Sequence, residues 1–145
     1  MEALLISACL LGMPCRYDGR SKQLDEAALR ALRQRYKLVP VCPESAGGLP
    51  IPREPSEKRG AGFYSRSGRD VTAEYEKGAQ TTLELALRYG CRLALMKERS
   101  PSCGHGKIYD GNFTGTLIPG NGAAVDKLLA EGITVYGESE VERLL

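Results

Sequence analysis

The chain opens on a continuous apolar run, Ala3–Ala8, the pattern of a strand buried on both faces of a sheet. Leu24–Tyr36 changes to a helical period, with Leu29, Leu32 and Tyr36 on one face. Lys37–Val41 predicts a second strand, stopped by Pro43. Asp70 is placed to cap the longest helix, which runs to about Tyr89 with an inward stripe of Val71, Tyr75, Ala79, Thr82, Ala86 and Tyr89. Gly90 suits a left-handed termination. Cys91–Met96 predicts a third strand, and the Asp110-Gly111 turn within Lys107–Thr114 a small hairpin. Asn121–Glu131 reads as a helix and Ile133–Tyr136 as a fourth strand. Ser139 and Glu142 have the spacing of a capping box for a short last helix.

Strands and helices therefore alternate, which predicts an α/β fold. The expectation is one domain over residues 1–145, an open Rossmann-like parallel sheet of about four strands with helices on both faces. The stretch from Cys42 to Arg69 has no sustained period and holds four prolines and five glycines. So long a connection inside a compact domain is usually functional, and it reads as an ordered flap. In such folds ligands bind beyond the carboxyl ends of the strands.

Composition narrows the classes. With 42% hydrophobic and 26% charged residues the chain is globular rather than disordered. A net charge of +2 gives no support for broad nucleic-acid binding. No run is apolar and long enough to span a bilayer, and Glu2 stands where a signal peptide would be basic. A cytoplasmic protein with reduced thiols is the expectation, and five cysteines, an odd number, do not make a closed disulfide framework.

Candidate chemistry lies in those cysteines. Cys9 and Cys15 sit in SACLLGMPCRYDG, Cys42 in VPVCPESAGG and Cys103 in SPSCGHG. Each of these segments follows a predicted strand, so a parallel sheet would gather the thiols at one edge. A free cysteine is often only a small buried hydrophobe, and that reading suits Cys91, at the far end of its strand. For Cys9, Cys42 and Cys103, flanked by loop formers, a ligand or catalytic role is favoured. Cys15 either reaches the pocket or braces its loop. There is no CxxC, so neither a thioredoxin-type dithiol nor paired zinc knuckles have motif support. Three thiolates from three loops suit an iron–sulfur cluster, leaving one iron of a cubane open as a sulfur-seeking Lewis acid.

Glu44, two residues past Cys42, is placed to act as a general base beside such a centre. The Ser100 and Ser102 hydroxyls are candidates for bonding a substrate or a cluster sulfide, with capping of the turn as the plainer account. Arg16, Arg53, Lys97 and Arg99 fall at the expected mouth, either to attract an anionic substrate or as ordinary solubility charge.

Five segments, SACLLGMPCRYDG, VCPESAGGLPIPREPSE, GRDVTAEYEKGA, LMKERSPSCG and IYDGNFTGTLIPGNG, together resemble a bacterial family that includes the thiouracil desulfidases, from about Ile6 to Glu138. The resemblance implies a [4Fe–4S] cluster on Cys9, Cys42 and Cys103, with Cys15 a family position of open role. It implies a catalytic Glu44 and a substrate- or proton-handling Ser100; Ser102, Arg16 and Lys97 are candidate substrate contacts on their positions alone. The expected reaction is non-redox, a thiolated pyrimidine base or nucleotide exchanging sulfur for oxygen. Longer members of the family carry a second domain and act on thiolated transfer RNA, so a tRNA substrate is not the expectation for these 145 residues. Two rival readings are a cluster-free persulfide sulfurtransferase and a non-catalytic module with zinc on Cys9, Cys15, Cys42 and Cys103.

Overall fold

The N-terminal apolar run forms β1 (Glu2–Ser7), in which Leu4, Leu5 and Ile6 are wholly buried. In the computed structural model, which describes residues 1–145, β1 leads through a 3-10 turn (Ala8–Leu11) and a loop to α1 (Glu26–Arg35) and directly into β2 (Tyr36–Val41). The flap contains α2 (Pro43–Ala46) and an antiparallel hairpin, β3 (Ser56–Arg59) with β4 (Gly62–Ser65). Then come α3 (Thr72–Arg88), β5 (Leu93–Met96), a second hairpin of β6 (Lys107–Tyr109) and β7 (Leu117–Pro119), α4 (Ala123–Ala130), β8 (Thr134–Gly137) and a closing 3-10 segment (Glu138–Leu144).

The main sheet has the order β2-β1-β5-β8, parallel throughout, with Leu5 level with Val39 on one side and Ala94 on the other. Alternation along β1 divides the core. Leu4 and Ile6 pack with Leu10, Leu32, Tyr36 and Leu144 on the α1 face. Leu5 packs with Val39, Leu83, Ala86, Val125 and Leu128 on the α3 and α4 face. Both faces are covered, as a parallel sheet requires. No helix is long and apolar enough to cross a membrane.

The expected alternation of elements is observed, with local corrections. α1 begins two residues later than expected because Asp25 caps it, its carboxylate accepting the Ala28 N–H at 2.8 Å. Asp70 accepts the Thr72 N–H at 2.9 Å, but Val71 holds the cap position of α3. Tyr89, expected on the buried stripe, is exposed, with the Lys37 ammonium over its ring. Gly90 ends the helix at φ +67° as expected. Cys91 lies before β5 rather than in it and packs in the core. The Asp110-Gly111 turn does not close the second hairpin directly, since pairing resumes only at Leu117. Ser139 caps nothing. Its hydroxyl donates to Glu98, and Glu140 instead accepts the Gly137 N–H.

Candidate functional site

In the order β2-β1-β5-β8, the connection leaving β1 runs to one side and that leaving β5 to the other. The crevice between them is the switch point where open α/β sheets bind ligands. Cys9 lies on the 3-10 turn after β1, Cys42 immediately after β2, and Cys103 on the loop after β5. A cavity of about 490 Å³ opens there. Its wall includes Cys9, Cys15, Cys42 and Cys103, with Glu44, Ser100, Ser102, Arg16 and Lys97. Every site residue expected from sequence is thus brought to one cavity.

Helices hold the loops after β2 and β5. The first N–H groups of a helix have no partner within it. In α4 those of Ala123 and Ala124 donate to the Pro101 and Ser102 carbonyls at 2.9 and 3.0 Å, docking the SPSC turn. α2 lies directly on α3 through two glycines. A Cβ on Gly78 would stand 1.9 Å from the Pro43 carbonyl oxygen, and one on Gly47 would stand 2.0 Å from that of Glu74. The backbone carrying Cys42 and Glu44 is therefore seated on helix backbone. β1 and β5 are stitched at their exits by Ser7, whose hydroxyl accepts the Lys97 N–H at 2.8 Å.

The thiols differ in character. Burial, then the neighbouring Cys42, pushes Cys9 up to about 11. Burial pushes Cys103 up to about 12, with Ser7 and Ser102 opposing. Cys42 is pulled down to about 5, chiefly by the hydrogen bond with the Cys15 thiol, with Ser45 adding to it. Cys15 is raised correspondingly, so Cys42 is the member of that pair that ionises first. No three His, Cys, Asp or Glu side chains converge on the position of one metal ion.

Glu44 is held at both oxygens. Arg53, its side chain 6% exposed, donates from Nε to Oε1 at 3.0 Å, and its two terminal nitrogens donate to the Cys15 carbonyl (2.9 Å) and the Pro50 carbonyl (3.1 Å). Arg53 therefore fixes Glu44 and two loops rather than standing free at the mouth. Ser102 donates to Oε2 at 3.0 Å, and its hydroxyl lies 3.2 Å from that of Ser100. Ser100 Oγ accepts the Cys103 N–H at 2.7 Å and the Ser102 N–H at 3.3 Å. Lys97 bonds Glu138 at 2.7 Å and Arg16 lies 3.7 Å from Asp18, so each enters the wall with a partner.

Among the wall residues that sequence reasoning passed over are Tyr75, Arg66 and Phe113. Tyr75 reads as core, being on the buried stripe of α3, yet it lines the cavity. Arg66 and Phe113 also face it, the guanidinium 5.8 Å from the ring centroid, and Phe113 sits at φ +56° with its N–H donating to buried Glu57. Neither lies near a cysteine in sequence, so only the folded chain shows them.

Fold and cavity together define an α/β protein with cysteine thiols at the sheet's switch point. Residues 4–140 match the family model described as 2-thiouracil desulfurase, and the chain belongs to that family. It is 38% identical over 152 aligned positions to the protein YbbK of Bacillus subtilis (strain 168), covering 98% of this chain and 99% of that one. The solved structure of the [4Fe-4S]-dependent thiouracil desulfidase TudS (DUF523Vcz) superposes with a TM-score of 0.94 at 46% identity, over 99% of this chain and 95% of that one.

Proposed function

We propose that the chain is an enzyme of the thiouracil desulfidase type. It converts a thiolated pyrimidine and water to the oxo-pyrimidine and sulfide, hydrolytically and without electron transfer. One observation carries the reading: three strand-end thiols share a cavity with a carboxylate held at both of its oxygens. The donor set fits an iron–sulfur cluster. The ligands are soft, come from three separate loops and line one cavity.

Cys9, Cys42 and Cys103 hold a [4Fe–4S] cluster, which when bound supplies an open iron, a Lewis acid with affinity for the substrate's sulfur. The residues of the chain perform the hydrolysis. Glu44 keeps a lone pair on each oxygen beyond those used by Arg53 and Ser102, and with it takes a proton from water. Ser100, whose oxygen already accepts two backbone N–H groups, retains its own proton to donate. Ser100, Ser102 and Glu44 form a chain of hydroxyls and carboxylate with links of 3.2 and 3.0 Å, a route for that proton between substrate and base. Arg16 and Lys97 line the approach. The substrate is a free base or nucleotide. The whole of residues 1–145 acts as one domain, in the cytoplasm, where thiols stay reduced.

The test is protein reconstituted with iron and sulfide in the absence of oxygen and given 2- and 4-thiouracil. The expected result is one sulfide and one uracil per thiouracil consumed. Glu44→Gln should keep the cluster's visible absorbance while its rate falls by roughly 10²–10⁴, the usual worth of a positioned base. Full turnover by Glu44→Gln removes that residue from the mechanism. Turnover by metal-free, colourless protein would remove the cluster from the chemistry.

A further inference from the structure

Tyr75 stands in the first turn of α3, 2% exposed, its ring stacked on Phe63 with centroids 4.7 Å apart and planes within 5°. Leu49 and Val71 complete this small apolar cluster. Everything the ring does there a phenylalanine would do equally well. The hydroxyl is the anomaly, because it is buried and makes no hydrogen bond of normal geometry within the protein, although the Ser56 and Glu44 side chains are close enough to act on it. A buried polar group left unpaired is a net cost to folding, so this oxygen invites a functional account. Tyr75 lines the reaction cavity together with Glu44 and Ser56, the two side chains that hydrogen-bonding reach connects to its oxygen.

We propose that the Tyr75 hydroxyl, together with Glu44, holds the water that attacks the thiocarbonyl carbon. This rests on the desulfidase reading and adds to it a water-positioning residue. A water between the two donates one hydrogen to a free lone pair of the Glu44 carboxylate and accepts the Tyr75 O–H with one of its own lone pairs. Its second lone pair remains for the carbon. As the proton passes to Glu44, the Tyr75 O–H stays on the oxygen that is gaining negative charge, so the bond is strongest where the barrier is highest. Burial, then the Glu44 charge, pushes the phenol well above its usual range. Tyr75 therefore keeps its proton throughout and acts as a donor only, while Glu44 alone accepts. The rigid stack on Phe63 fixes where that donor points.

The experiment is Tyr75→Phe in the reconstituted holoenzyme, with the melting temperature of the cluster-free protein measured alongside. Iron content and visible spectrum should equal wild type. The melting temperature should be unchanged or higher, because an unpaired buried hydroxyl has been removed. KM for thiouracil should stay within about twofold while kcat falls about 10- to 100-fold, the range for one hydrogen bond to a charged partner. Combined with Glu44→Gln the loss should be no greater than for Glu44→Gln alone, because the two act on one water. A kcat equal to wild type overturns the proposal, and so does a rise in KM alone. A lower melting temperature in Tyr75→Phe also overturns it, since that would mean the hydroxyl is bonded within the protein. If wild-type holoenzyme releases no sulfide from thiouracil, the desulfidase reading itself has failed. If wild type turns over and Tyr75→Phe matches it, only this inference has.

Discussion

Gly78→Ala sets two physical effects of opposite sign against each other at the support of the site. In the interior of a helix, replacing glycine by alanine is ordinarily stabilising by about 1 kcal/mol, because the unfolded chain loses less freedom on folding. Here the new Cβ would stand 1.9 Å from the Pro43 carbonyl oxygen and 2.8 Å from its carbon, where ordinary contacts begin at 3.4 Å. The clash is with backbone, so no side-chain rotation relieves it, and α2 must retreat by about 1–1.5 Å. Overpacking of this kind costs about 1–3 kcal/mol. Against the helix gain, a net loss of up to about 2 kcal/mol remains, as much as roughly 6 °C in melting temperature for a chain of this size. The catalytic effect is larger. Pro43 is bonded to Cys42 on one side and Glu44 on the other, and the 3.0 Å bonds from Arg53 and Ser102 to Glu44 do not survive a 1 Å displacement. Misplacement on that scale costs about 10²-fold in rate. The assay pairs thermal melts of cluster-free protein with sulfide release by the reconstituted enzyme, using Lys77→Ala on the exposed face of the same helix as control. If Gly78→Ala melts at or above wild type and turns over at full rate, helix propensity has won, and the close approach does not seat the turn.

Arg53→Ala leaves Glu44 without its guanidinium partner in a site where both side chains are largely shielded. It should cost about 3 kcal/mol, the low end for breaking a buried pair, read as a lower urea midpoint. Arg53→Lys should recover little, because one ammonium cannot serve Glu44 and the Cys15 and Pro50 carbonyls at once. In cluster-free protein, alkylation by iodoacetamide between pH 6 and 8 should mark Cys42 first, as located by peptide mass spectrometry. Cys42, with its pKa near 5, is then ionised, whereas Cys9 near 11 and Cys103 near 12 remain thiols. Earlier labelling of Cys9 or Cys103 would refute the assignment of charge among the thiols.

The main sheet was readable because its strands are buried on both faces. Leu4 to Ile6 and Leu93 to Met96 need no period to be recognised. The site was readable for a related reason: in a parallel sheet every strand's exit lies at the same edge, so connectivity alone gathers Cys9, Cys42 and Cys103. The flap was not readable. Its hairpin is built from two four-residue strands, SEKR and GFYS, too short and too polar for alternation to register. Arg53, nine residues past Glu44 in that aperiodic stretch, carried only a charge, and nothing local marked it as the carboxylate's partner. Tyr75 was readable only in part: its place on the buried stripe is as expected and explains the ring but not the oxygen.

Gly78 shows where pattern reading ends. An isolated glycine within a helical period is a weak signal of a packing constraint, and the sequence does not say what it packs against. In the fold it faces the turn that carries both a thiol and the proposed base. The two functions share one short backbone segment, Cys42–Pro43–Glu44, and therefore share one support. The SPSC turn has a separate support, the start of α4, where Gly122 lies so close that a Cβ would stand 2.4 Å from the Ser102 carbonyl carbon. The cavity is thus assembled from two independently seated halves, Cys42 with Glu44 on α3 and Ser100 to Cys103 on α4. The bond from Ser102 to Glu44 at 3.0 Å spans the seam between them. A disturbance on either helix is transmitted to the chemistry through that bond. Substitutions far from any thiol but beneath either turn should therefore reduce turnover more than they reduce stability.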